Sequence, residues 1–153
     1  MKTWFDTTGN VLESVNTIHQ TAQTASIGTA TLCAGTAGNC GVAGMYNVHW
    51  DFIETGTACS SVTAGSVSFA LTWTDSNAVV HSAVIPQMLN QTSATATAMG
   101  STFTFATALA NAGASGTFNV STNGSVIQYA TTYVACTTGT GTYQLDAAVT
   151  RLQ

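Results

Sequence analysis

His49 and Asp51 are the residues of this chain best suited to chemistry. They stand two apart in GMYNVHWDF, residues 44–52, and Asn47 stands two before His49. In an extended segment that spacing puts an amide, an imidazole and a carboxylate on one face. An imidazole beside a carboxylate can ligate a metal or act as a general base. Either role needs further groups, and His19, His81 and Glu54 are the candidates. In a three-fold assembly, one histidine per chain beside the axis would make a three-histidine metal site. A simpler assignment needs no partner. Asn47, His49 and Asp51 then line the hydrated or subunit-facing side of a sheet, and this is the expectation adopted. The carboxylates Asp51, Glu54, Asp75 and Asp146 raise a second possibility, because glycoside hydrolysis needs only two carboxyls at a set separation. Each also suits a strand end or a turn. The sequence holds no GxSxG, Walker or HExxH motif. We therefore assign no catalytic residue, no cofactor and no metal, and expect a protein that is not an enzyme.

The cysteines are Cys33, Cys40, Cys59 and Cys136, which permit three full pairings. Cys33 and Cys40 bracket AGTAGN, a short Gly/Ala loop that can close locally. Cys59 and Cys136 are then left to join remote segments. The spacing is not that of a zinc knuckle, and four free thiols is the ordinary state in a cytosol. The pairing expected is Cys33–Cys40 with Cys59–Cys136.

Only eight residues are charged: Lys2, Arg151, Asp6, Glu13, Asp51, Glu54, Asp75 and Asp146. At 5% this is far below the roughly 25% of ordinary domains, and Ser and Thr supply the surface polarity instead. Hydroxyl surfaces hydrate without long-range fields, so they steer partners poorly but pack against copies of themselves without opposing charges. A net charge of −4, with two basic residues at opposite ends, excludes a phosphate-binding surface and so nucleic acid. No apolar run is long enough for a membrane helix. MKTWFDTTGNVLESV has no continuous apolar stretch after its lysine, so no signal peptide is read there and synthesis in a cytosol without export by the general secretory route is expected.

Period-2 alternation recurs after residue 24 and calls for strands. SVSFALTWTD puts Val67, Phe69, Leu71 and Trp73 on one face. SIGTATLC, AVVHSAVI, STFTFATALA, GTFNVST, SVIQYATTYVA and TYQLDAAVTRL continue the pattern. Gly, Asn and Asp mark the turns between them. Many short strands with such breaks predict an all-β antiparallel sandwich. Tyr46, Trp50, Phe69 and Trp73 are then core residues, not a sugar-stacking platform. Residues 1–24 lack the alternation. Val11, Val15 and Ile18 allow a short helix there, but the segment reads better as an N-terminal arm ahead of a domain at 25–153. Trp4 and Phe5 would dock that arm on a neighbour.

Three stretches carry a resemblance: AGMYNVHWDFIETGTA, SVSFALTWTD and GTYQLDAAVTRLQ. Together, over about residues 20–153, they resemble a group of small β-proteins of phage and bacterial metagenomes. The opening strand also resembles that of trimeric jelly rolls of the tumour-necrosis-factor and complement-head type. The resemblance implies a jelly roll that forms a homotrimer on a virion surface as a decoration, fibre or spike-head protein. Its partners would be itself and other virion proteins, such as the major capsid or tail proteins, and it would be made in the host cytoplasm. Disulfides formed after release by lysis fit that setting. The alternative is a module at a fibre tip that binds a receptor or a host surface glycan.

Overall fold

The structure, a computed structural model, describes residues 14–56, 65–84, 103–104, 113–135 and 141–152. Among the described residues there are nine strands: β1 (Ser14–Gln23), β2 (Ala30–Cys33), β3 (Gly44–Glu54), β4 (Ser66–Thr74), β5 (Val80–Val84), β6 (Phe103–Thr104), β7 (Gly113–Thr122), β8 (Ile127–Val134) and β9 (Tyr143–Arg151). No helix among the described residues is long and apolar enough to cross a membrane.

The strands make two sheets, in the orders β1-β9-β3-β7 and β2-β8-β4-β5, with β6 also on β4. Every described pairing is antiparallel. The pairs β4–β5, β3–β7, β2–β8 and β1–β9 are nested, as if one long hairpin had been folded at the β4–β5 turn and rolled up. Successive pairs of that ribbon alternate between the two sheets. This is the jelly roll, and it satisfies the backbone of a long ribbon while burying one face of each strand.

Alternation decides which face is buried. Along β3, Tyr46, Val48, Trp50 and Phe52 are buried, while Asn47, His49, Asp51 and Ile53 are not. Val67, Phe69 and Leu71 of β4 and Tyr143, Leu145 and Val149 of β9 meet them from the two sheets. Phe52 stands edge-on to both Phe69 and Tyr143, with centroids 6.1 and 5.8 Å apart, the arrangement that ring quadrupoles favour. Trp50 lies opposite Gly116 of β7, and its ring covers the glycine so closely that a Cβ there would stand 2.8 Å from Cζ2. Tyr46, Trp50 and Phe69 are thus core, and Trp73 is partly buried against it.

A polar chain ties the β1–β2 connection to this core. Ile27 N–H donates to Thr131 Oγ1 (2.8 Å) and Tyr143 Oη donates to the Ala25 carbonyl (3.0 Å). Tyr143 has only one proton, so Thr131 is the donor in the 2.6 Å bond between their hydroxyls. Burial raises the pKa of Tyr143, which keeps that proton in place.

The boundary of the arm moves. Residues 14–23, expected in the arm, are the edge strand β1, paired with β9 from Ser14↔Thr150 to Gln23↔Tyr143. Its core-facing row is Asn16, Ile18 and Gln20, opposite Val149, Ala147 and Leu145. Two of those three are polar, so the alternation is invisible. A register shift between Ser14 and Asn16 lets Val15 pack on the core as well, which produces the helix-like spacing. Asn16 Nδ2 donates to the Leu32 carbonyl and Gln20 bonds Tyr129, so neither amide is buried unpaired. Trp4 and Phe5 lie outside the described residues.

Cys33 and Cys40 form a disulfide, with Cα atoms 5.7 Å apart. The loop they close folds back on itself through Cys40 N–H to the Ala34 carbonyl (2.9 Å) and Gly41 N–H to the Thr36 carbonyl (3.0 Å). Gly41 lies so near Thr36 that a Cβ would stand 2.5 Å from its carbonyl oxygen. Cys59 and Cys136 lie outside the described residues.

Candidate functional site

The outer face of β1-β9-β3-β7 gathers most of the ionisable side chains near the opening motif. Asp51 on β3 is the register partner of Asp146 on β9, and Asp146 is the partner of His19 on β1. His19 Nδ1 contacts Asp146 Oδ1, and Gln144 Nε2 donates to Asp146 Oδ2 at 2.6 Å. A row His19–Asp146–Asp51 therefore runs across three strands. His49 lies one step along, opposite Ala148 on β9 and Thr117 on β7. Asn47 completes the face by donating from Nδ2 to Asn119 Oδ1 at 2.8 Å.

The two carboxylates have been driven apart. Burial raises the pKa of Asp51, the negative Asp146 raises it further, and His49 opposes both. Burial would also raise Asp146, but the His19 hydrogen bond, the Gln144 amide and the His19 charge together bring it below its ordinary value. Two acids with opposite shifts are the pattern of an acid–base pair. The geometry does not extend it. The two histidines are separated by the whole of β9, two strand spacings or about 9.6 Å, before their offset along the strands is added. Among the described residues no three His, Cys, Asp or Glu side chains converge as metal ligands.

The other candidates went elsewhere. Glu54, at the end of β3, is fully buried opposite Tyr143. His81 belongs to the other sheet, where its Nε2 is 2.9 Å from Asp75 Oδ2 and its ring stacks on Trp73, centroids 5.4 Å apart. Asp75 Oδ1 also accepts the backbone N–H groups of Asn77 and Val79, at 2.8 and 2.9 Å. The His81 bond first, then the Val79 amide, lowers the pKa of Asp75. This carboxylate closes the β4–β5 turn, in which Ala78 takes φ +61°.

Sequence reasoning identified His49, Asp51 and Asn47 as one face, and the structure places them so. It missed that Asp146, and not Asp51, takes His19. The alternation in TYQLDAAVTRL puts Asp146 on an outer face, but only the β1–β9 register supplies its partner.

Neither a family model nor a curated protein matches the chain. Among solved structures, one match is a Clostridium thermocellum N-terminal endo-1,4-beta-D-xylanase 10B, comprising CBM22-1 and GH10 modules complexed with xylohexaose. Identity is 10% and the TM-score 0.42, over 89% of this chain. The chain spans 28% of the length of that protein.

Proposed function

We propose that this chain is a non-enzymatic structural protein that assembles as a homotrimer on the exterior of a virion. The observation that carries the reading is where the reactive side chains are placed. His19–Asp146 joins edge strand β1 to β9, and His81–Asp75 closes the β4–β5 turn. Each imidazole–carboxylate pair is thereby committed to holding strands together. What remains on the outer faces, His49 and Asp51 apart, is mostly Ser, Thr, Asn and Gln, side chains that pack against copies of themselves at little electrostatic cost. A glycan-binding role would draw on exposed aromatic rings. The large apolar side chains exposed among the described residues are Val42, Met45, Val79, Val80, Val84 and Val134, none of them aromatic.

Two measurements test this. Light scattering on the purified protein should give three 15.6-kDa chains, about 47 kDa, and a 15.6-kDa species at micromolar concentration overturns the trimer. A tagged copy expressed in the producing host should sediment with nuclease-resistant particles. Recovery of the tag only in the particle-free supernatant overturns the virion assignment.

A further inference from the structure

We propose that β1 is exchanged between copies, each chain laying its Ser14–Gln23 strand on β9 of the next. The inference rests on the reading of the protein as self-assembling and names the segment that joins the copies.

β1 is fastened differently from the strands beside it. From Val15 to Gln23 none of its residues is buried, whereas β3 and β9 bury alternate residues along their length. It is an edge strand, so its withdrawal leaves the pairings of β9 with β3 and of β3 with β7 whole. Buried apolar area therefore does little to retain it. Specific polar contacts hold it instead. Asn16 Nδ2 donates to the Leu32 carbonyl, His19 Nδ1 contacts Asp146 Oδ1 and Gln20 bonds Tyr129.

Those contacts select the occupant. Without β1, the β9 edge offers a carbonyl acceptor, a carboxylate and a phenol, alongside Leu145, Ala147 and Val149. An amide at 16, an apolar group at 18, an imidazole at 19 and an amide at 20 answer them in order. The strand that carries this set is β1 itself, and the carboxylate favours a segment that brings an imidazole. A second copy's β1 thus restores every contact that the first one gives up, and exchange of an identical element is a low-cost route to an oligomer.

The chain bends where the exchange would need a hinge. Residues 21 and 22 bulge between the pairs Gln20↔Leu145 and Gln23↔Tyr143, and Ala22 takes φ +51°. A side chain in that left-handed region costs stability that a glycine would not. Beyond the bend the chain is pinned. Ser26 Oγ accepts the Tyr133 N–H and the Ile27 carbonyl accepts the Thr131 N–H, each at 2.9 Å. Straightening at Ala22 therefore relieves the bend without disturbing the anchor. Closed and exchanged chains make the same strand contacts, so the strained hinge tips the balance. Passed around three copies, the exchange closes a ring and carries Trp4 and Phe5, which precede β1, to the same neighbour.

Cysteines placed on different chains test this. Thr17 and Ala148 are register partners. One copy carries Thr17→Cys, a differently tagged copy carries Ala148→Cys, and the two are co-expressed. A disulfide between positions 17 and 148 can then form only between copies, and it is read by mass spectrometry of unreduced peptic peptides. A single chain carrying both changes shows whether the pair can bond at all. Ser14→Cys with Thr150→Cys, also register partners, replaces the first pair if circular dichroism shows that it does not fold. The bond should appear between co-expressed copies. Ala22→Gly, which removes the strain from the closed chain, should raise the concentration at which the trimer half-dissociates at least about tenfold. A trimeric parent whose cysteines bond only within one chain, or in neither setting, overturns this inference alone, as does an unchanged half-dissociation in Ala22→Gly. A monomeric parent overturns both this inference and the trimer.

Discussion

Asp51 and Asp146 face each other across β3 and β9, and only Asp146 has a histidine hydrogen-bonded to it. Asp51 therefore carries the cost of its burial first and of the like-charge pair second. Its folded pKa lies above the ordinary value of 3.8, so its charged form is disfavoured by folding. That cost is present above the folded pKa and fades as pH falls through it. Asp51→Asn should accordingly stabilise the protein at neutral pH, by roughly 0.2–1 kcal/mol for a cross-strand pair. The gain should shrink as pH falls through that raised value and be nearly absent at about pH 3, where the carboxyl is protonated in the folded and unfolded chain alike. Urea midpoints at the two pH values check this, and equal gains at both would refute it. Trp50 and Gly116 make a second residue-scale case. A Cβ at position 116 meets the indole at 2.8 Å. Gly116→Ala should cost about 1–3 kcal/mol, as overpacking does. The Trp50 Nε1 proton is buried without a partner among the described residues. Trp50→Phe removes both that donor and the obstructing ring edge, so it should recover some of the Gly116→Ala loss. A double-mutant cycle with no coupling would show that the contact is not the cause.

At the scale of elements, the β4–β5 turn depends on Asp75, which accepts from two backbone amides and lies against His81. Asp75→Ala should speed hydrogen exchange at Asn77 and Val79 while leaving the core amides of β3 unchanged. Acid should reproduce it. The folded pKa of Asp75 is lowered, so its stabilisation is complete above the unfolded value of 3.8 and is lost as pH falls through the folded one. Turn amides that stayed protected in the variant would assign the turn to its backbone hydrogen bonds alone. Elements also differ in how openly the sequence displays them. β3 and β4 were legible because every second residue is large and apolar, and their buried rows came out as read. β9 was legible for the same reason. β1 was not, because a core-facing row of Asn16, Ile18 and Gln20 removes the period that a sheet imposes. The His19–Asp146 pair was invisible for a related reason. Alternation assigns a face to each residue, whereas the neighbour depends on register, and register between strands more than a hundred residues apart is a property of the whole roll.

For the whole molecule, the Cys33–Cys40 disulfide is the described crosslink, and it spans a sequence separation of seven. The chain-entropy relation gives about 2.5 kcal/mol for so short a loop. Cys33→Ala/Cys40→Ala should lower unfolding free energy by about that amount, and a loss below about 1 kcal/mol would mean that the hydrogen bonds from Cys40 and Gly41 already hold the loop. The nesting of the strands has a mechanical consequence. Ser14 and Thr150 are register partners, so β1 begins where β9 ends. A pull applied at Ser14 and Thr150 therefore opens the β1–β9 ladder one hydrogen bond at a time, like a zipper, and never shears it as a block. Tension at that shared end of β1 and β9 meets little resistance, whereas tension between the middle of β3 and the middle of β4 must pull the sheets away from each other across a packed core. Any load this molecule bears in an assembly is better transmitted through its sheet faces than along its chain.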